Sequence, residues 1–431
     1  MPDPATLRIQ SLVAGLTNYE RTRPNAIRWS LETMQRLLER PGARLPSGKL
    51  VQVGGSKGKG TVAAYLESLG EACRLTTGSY FSPHVETVLE RVRLSGRNVE
   101  LAELVRVLEP ILAFVRGVGL QATFFEVMTA AAVQLFAERA VALGILEVGL
   151  GGRLDATTAV PVQAAILTNV ELEHTQLLGD TVEKIAAEKA YIARPGALLV
   201  TSVTGSALAV VQAHCSRIGA ELLVQGRDWE LADLVDHGDR FCGVIRDASS
   251  RRQSFTLLGA TRVEVSAFAL AFTTLRRLWP ELEINSDPAP RPRLPGRFEV
   301  VGLPGGGTLV LDGAHTERSL EELATELARR YPGRRFAVLF ASAIDKRWQG
   351  GLRSLLPFAE IVVSTRLSDT PCVEPDEIVT WCKAHGVRAE SAADPGLGLS
   401  RLQRWSDLQL VTGSFYLVGA VKGCVGTSAT S

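Results

Sequence analysis

The stretch VQVGGSKGKGT (Val51–Thr61) runs from an apolar segment into four glycines, two lysines and a threonine. Glycines let backbone amides turn inward on an anion, and the start of a helix adds its positive end. Lys59 would then reach the outer phosphates of a nucleotide as a point charge. The usual phosphate loop has Ser or Thr directly after the lysine, whereas here Gly60 intervenes before Thr61. By itself the stretch therefore reads either as a phosphate cradle or as a glycine-rich turn joining strand to helix. A second chemical signal is Glu147 inside the apolar run ILEVG. An unpaired buried carboxylate is costly, and a bound cation is one reason to keep it. Hard Mg²⁺ favours oxygen ligands of this kind, close to phosphates.

The elements that would position these groups are short apolar runs bounded by glycine or polar residues: KLVQVGG, LGILEVG, AAILTNV, ALLVTSV, GTLVLDG, RFAVLFA, EIVVSTR and LQLVTGS. They lack alternation, as buried parallel strands do. Between them lie segments with helical spacing, such as FFEVMTAAAVQLFAERAV, with Phe125, Met128, Ala132, Leu135 and Phe136 on one face, and TERSLEELATELARRY, with Leu320, Leu323 and Leu327. Strand alternating with helix predicts a parallel α/β fold. The segment INSDPAPRPRLPGRFEV is rich in proline (Pro288, Pro290, Pro292, Pro295) and reads as a linker, placing a domain boundary near Arg293. Residues 205 to 258 are assigned to the first domain, with GDRFCGVIRD as a possible hairpin.

A chain of 431 residues exceeds one typical domain, and two cores are expected. The composition, 46% hydrophobic and 22% charged with a net charge of +1, carries no basic footprint for nucleic acid or acidic membrane, so small molecules are the expected partners. The six cysteines form no CxxC pair, which argues against a disulfide framework or zinc site and fits a reducing cytoplasm. No secretory leader and no run of membrane-spanning length is visible.

Further motifs follow the glycine-rich loop in one order: GSYFSPHVETVLERVRLSG, LEVGLGGRLDATT, VELEHTQLLGDTVEKIAAEKAYIARPG, LPGRFEVV and LDGAHT. The series resembles the folylpolyglutamate synthase and dihydrofolate synthase family, a branch of the Mur ligases, over roughly residues 18 to 345, from LTNYE to SAIDK. In that family the phosphate loop does carry a glycine between lysine and hydroxyl. The resemblance implies a P-loop-containing, Mur-ligase-like ATP-binding domain (1–292) and a smaller C-terminal Rossmann-like α/β domain (293–431), with the site in the cleft between them. It implies ATP-dependent amide formation: a carboxylate takes the γ-phosphoryl group to become an acyl phosphate, and an amine then displaces phosphate.

The same resemblance assigns residues. Lys57, Gly58, Lys59, Gly60 and Thr61 would hold ATP phosphates, with Ser266, Arg297 and Asp312 also at the nucleotide and His315 near the reacting groups. Ser82, Glu147 and His174 match metal-associated positions, and Lys189 matches a lysine that CO₂ carbamylates to help hold a second Mg²⁺. Thr123, Phe124, Phe125, Leu154, Asp155 and Ala156 would line a pterin pocket, an aromatic stacking on the ring and an acid pairing with its polar edge. Read without it, Ser82 is a turn residue before Pro83, His174 a capping or core histidine, Lys189 a surface lysine, Arg297 a linker arginine and Asp312 a helix cap. Two stretches depart from the family: Thr261, Arg262 and Ser266 stand where it carries His-Gln and, later, Asn near the adenine, and Thr316 replaces the asparagine after DGAH.

The expected activity is addition of L-glutamate to dihydropteroate and to reduced folates, using ATP and Mg²⁺, by a monomer. The alternatives are folate extension alone, a Mur-type ligase for another carboxylate, and a non-catalytic nucleotide-binding regulator.

Overall fold

The computed structural model describes residues 3–18, 30–248, 251–303, 306–344, 346–367 and 371–428; Tyr19 and Glu20 of LTNYE and Asp345 of SAIDK lie outside them. Contacts divide the chain into two compact units, one of Pro4–His84 and Val88–Arg293, the other of Leu294 onward with Asp3 and Val85–Thr87.

The larger unit is built on an eight-stranded sheet. Its six parallel strands run in the order Thr77–Tyr80, Leu143–Glu147, Lys49–Gly54, Ala164–Leu167, Leu198–Thr201 and Glu221–Val224. The central strands are buried on both faces, which is why their sequences are continuous apolar runs rather than alternating ones. Helix Phe124–Glu138 packs on one side and is buried around almost its whole circumference, while helix Lys59–Ala72 and helix Arg262–Leu278 pack together on the other. Two short strands, Val92–Leu94 and Arg97–Asn98, extend the edge beyond Thr77–Tyr80 in antiparallel fashion, so the sheet is mixed rather than wholly parallel.

Residues 229 to 258 form a separate antiparallel sheet of Trp229–Asp236, Arg240–Asp247 and Arg252–Leu258. The expected hairpin at GDRFCGVIRD is thus the central strand of three. Phe241 and Ile245 face inward with Trp229, Phe255 and Leu257, whereas Cys242 and Val244 sit on the more open face. Apolar residues on both faces blur the period-two signal.

The smaller unit carries a six-stranded sheet in the order Glu299–Gly302, Thr308–Leu311, Leu408–Thr412, Phe336–Phe340, Ala359–Ser364 and Arg388–Ser391. All pairings are parallel except that of the edge strand Glu299–Gly302. This is a Rossmann-like arrangement, and in open α/β sheets the carboxyl ends of the strands are where ligands bind. None of the helices among the described residues is long and apolar enough to cross a membrane.

Candidate active site

Four neighbouring strands of the large sheet deliver the motifs to one edge. Val53 pairs with Glu147, Gly54 with Leu167, and Tyr80 with Leu146. The phosphate loop, Ser82, Glu147 and the Thr168–His174 stretch therefore all follow the carboxyl ends of adjacent parallel strands.

The loop depends on backbone conformations and close approaches that glycine supplies. Gly55 has φ +137°, and a Cβ there would lie 1.9 Å from the Thr168 hydroxyl; Gly58, at φ +77°, precedes helix Lys59–Ala72. The next strand-end braces the loop. The Asn169 side chain accepts from Lys57 N at 2.8 Å, Thr168 Oγ1 donates to the Lys57 carbonyl at 2.6 Å, and Ser56 Oγ accepts from Glu171 N at 2.9 Å. Lys59 Nζ folds back onto the carbonyls of Gly55 (3.0 Å) and Ser56 (3.4 Å). Lys57 Nζ lies 3.1 Å from Glu171 Oε2, an ion pair without hydrogen-bond geometry. Gly60 and Thr61 are buried in the first turn of the helix.

Of the residues matched to metal positions, the structure joins two. Ser82 N donates to Glu147 Oε2 at 2.9 Å, with Glu147 only 3% exposed at the end of its strand. His174 is exposed and left-handed (φ 46°) at the head of the short helix Thr175–Leu178. Among the described residues no three His, Cys, Asp or Glu side chains converge as a ready-made metal cage. Lys189 is almost fully buried rather than a surface lysine. Its Nζ donates to Glu173 Oε1 at 2.8 Å and to the Gly55 carbonyl at 3.1 Å. Burial and the nearby Lys59 hold Lys189 below its ordinary pKa against the pull of Glu173. Burial raises Glu173, but Lys189 and Lys59 outweigh it and leave the carboxyl below its usual range. Lys189 and Glu173 thus face each other as a buried ion pair at the foot of the loop. Glu173 escaped the sequence reading. Its signal was a carboxylate directly before His174, in the same strand-end loop.

The residues matched to a pterin pocket divide in the same way. Phe125 is half-buried, 5.5 Å from the Tyr80 ring and over Gly149, where a Cβ would meet it at 2.8 Å. Phe124 is core, with Arg91 over its ring at 5.0 Å. Leu154 is half-buried and Ala156 buried beside it. Thr123 is the N-cap of helix Phe124–Glu138, in a capping box with Glu126. Asp155 is buried. Its Oδ2 accepts from Gly149 N (2.9 Å) and Leu150 N (3.1 Å), and its Oδ1 accepts from Thr157 N (3.0 Å) and from the Thr157 hydroxyl, which occupies its lone pairs inside its own turn.

In the smaller unit, Asp312 follows strand Thr308–Leu311 and accepts from Phe298 N and Ala314 N, each at 2.8 Å. Burial pushes its carboxyl up to about 6 against those bonds and the Arg297 charge. His315 Nδ1 lies 2.8 Å from the Gly313 carbonyl. A carbonyl only accepts, so Nδ1 carries a proton. Arg297 lies over the Phe415 ring at 5.0 Å and donates to the Pro295 carbonyl at 3.3 Å.

The departures have local causes. Thr261 caps helix Arg262–Leu278 in a capping box with Glu264, and Thr316 caps helix Glu317–Arg330 in one with Ser319. Arg262 is exposed and pairs with Asp236; Ser266 is exposed on its helix.

Known proteins share this arrangement. A family model described as Mur ligase, glutamate ligase domain, matches residues 296–415. The dihydrofolate synthase/folylpolyglutamate synthase of Bacillus subtilis is 31% identical over 346 residues, 77% of this chain and 80% of that protein. The chain belongs to the dihydrofolate synthase/folylpolyglutamate synthase family. A probable bifunctional folylpolyglutamate synthase/dihydropteroate synthase of Haloferax volcanii is 33% identical over 91% of the chain, which spans about half (48%) of that longer protein. Among family structures, the bifunctional folylpolyglutamate synthase/dihydrofolate synthase of Yersinia pestis, complexed with AMPPNP and Mn ion, superposes with a TM-score of 0.82 at 27% identity over 98% of both chains.

Proposed function

We propose that this protein is an ATP-dependent ligase that joins L-glutamate to dihydropteroate and extends reduced folates with further glutamates. The observation that carries the reading is the convergence, at the ends of adjacent parallel strands, of a glycine-built anion cradle with Lys59 and a buried carboxylate, Glu147, that accepts from the backbone N–H of the buried Ser82. In the reaction the substrate carboxylate takes the γ-phosphoryl group of ATP, ADP leaves, and the amine of glutamate then displaces phosphate to form the amide. Lys59 exchanges its loop carbonyls for phosphate oxygens, and the loop amides hold the rest of the charge. The donors Ser82 Oγ and Glu147 are hard oxygens that suit Mg²⁺, which, when bound, would offset phosphate charge. Arg297 and Asp312 are assigned to the nucleotide and His315 to the reacting groups. Phe125 and Leu154 are assigned to the pterin. Family relatives bearing these enzyme names, and one bound to a nucleotide analogue and Mn, support the assignment. A cytoplasmic monomer acting on small molecules fits the six free cysteines and the near-neutral charge.

The test is phosphate release by the purified chain with ATP and Mg²⁺. Release that needs both L-glutamate and either dihydropteroate or tetrahydrofolate is the expected result, and the two acceptors separate synthase from extension activity. Release indifferent to both, or none with either acceptor, would overturn the proposal. A regulator without catalysis has lost its motive, since Thr261 and Thr316 are accounted for as helix caps.

A further inference from the structure

Three segments of the smaller unit meet at one corner: residues 295–298, the turn after strand Thr308–Leu311, and the end of strand Leu408–Thr412. Backbone bonds lock them. Asp312 N donates to Val411 O at 3.0 Å, Gly313 N to Gly296 O at 2.8 Å, and Gly413 N to Ala314 O at 2.9 Å. Phe415, the first residue of helix Phe415–Ser428, projects its ring into this corner and is only half-buried. Arg297 Cζ sits 5.0 Å from the ring centroid, and the His315 ring meets it at 6.1 Å and 63°.

The backbone is shaped around that ring. A Cβ on Gly313 would come within 2.4 Å of Phe415 Cδ1. A chain that needed only to turn there would not also need the space left by an absent side chain. The arginine has one weak anchor, the 3.3 Å bond to Pro295 O, whereas the face of an aromatic ring attracts a guanidinium and restricts it without consuming its donors. A planar fork held this way keeps its N–H groups for an anion.

We propose that Phe415 is a positioning residue for the ligase reaction, its ring holding Arg297 in the orientation it uses on the nucleotide. The inference rests on the ligase reading above. The ring acts through Arg297, so its effect must vanish when Arg297 is gone.

The experiment is a double-mutant cycle on kcat and KM with Phe415→Leu, Arg297→Ala and the double variant, with thermal melts alongside. Phe415→Leu is expected to lower kcat about tenfold, in the range of a desolvated cation–π contact. Its KM for glutamate should move much less. Phe415→Tyr, which keeps the π face, should stay within about twofold of wild type. The double variant should fall no more than about threefold below Arg297→Ala alone. If Phe415→Leu does not fold, Phe415→Met keeps the volume without the ring face and takes its place. Losses that multiply in the double variant, a Phe415→Leu rate within twofold of wild type, or a Phe415→Tyr variant as impaired as Phe415→Leu would each overturn the proposal. A wild type without glutamate-dependent phosphate release would sink the ligase reading instead. The same cycle, read as AMPPNP affinity by calorimetry, then decides whether Phe415 acts through Arg297.

Discussion

The phosphate-loop edge of the large sheet and the Phe415 corner of the small one both sit at carboxyl ends of parallel strands, yet they hold their cations differently. At the loop, Lys59, Lys57 and Lys189 are each set against oxygens of the protein, the Gly55 and Ser56 carbonyls, Glu171 and Glu173. At the corner, Arg297 is held over a ring, with one long bond to a carbonyl. The glycines differ to match. Gly55 and Gly58 have positive φ, Gly55 also leaving room for the Thr168 hydroxyl, whereas Gly313 has none and serves only to clear space for the Phe415 ring. Close-packed ammonium groups need countercharge before any ligand arrives, and a lone guanidinium needs orientation more than neutralisation.

That contrast makes the loop lysine the most damaging target. Lys59→Ala should lower kcat at least about a hundredfold, because its charge is used only on the phosphates, while the melting temperature stays within a few degrees. Activity within about threefold of wild type would show that the loop is a turn and not a cradle. Next, Glu147→Gln keeps shape but removes the negative charge offered to a cation, so the Mg²⁺ needed for half-maximal rate should rise about tenfold. A steep loss of stability with unchanged Mg²⁺ dependence would make the carboxylate structural. At the corner the effect should be milder: Gly313→Ala pushes the Phe415 ring aside and should cost about three- to tenfold in kcat. A loss as large as that of Lys59→Ala would erase the distinction between the two regions.

Much of this was readable before any coordinates. The eight apolar runs are strands because both their faces are buried, and the glycines that end several of them mark the ligand edge. The boundary signal came from proline chemistry. Local bonding was less legible. Thr-Phe-Phe-Glu and Thr-Arg-Val-Glu are capping boxes in plain spelling, a role that Thr123 and Thr261 have beside whatever they do at the pocket and the adenine. The four hydrogen bonds that Asp155 accepts come from a turn whose shape no spacing rule shows. The Glu173–Lys189 and Phe415–Arg297 contacts arise from how strand-ends converge, which one sequence leaves open.

The smallest expected effect separates charge kept for a ligand from charge that burdens the fold, on a single helix. Helix Lys59–Ala72 begins with the loop lysine and, two turns on, buries Glu67 to 3% exposure. Arg93 Nη2 lies 3.1 Å from one Glu67 oxygen, and the nearby Ser79 hydroxyl also favours the charged carboxylate. Burial outweighs the arginine and pushes the carboxyl up from 4.5 to about 7. A raised carboxyl means that the folded state binds the proton more tightly. Its stabilising contribution is therefore complete below about pH 4.5, declines as pH rises, and is gone above about 7. Glu67→Gln removes that slope. Relative to wild type, the variant should gain on the order of 1–3 kcal/mol in unfolding free energy between pH 5 and pH 8, with kcat within about twofold. Denaturant melts at the two pH values read this directly. A gap between variant and wild type that does not change with pH would mean that Arg93 keeps Glu67 ionised throughout, so that the helix carries two functional charges rather than one.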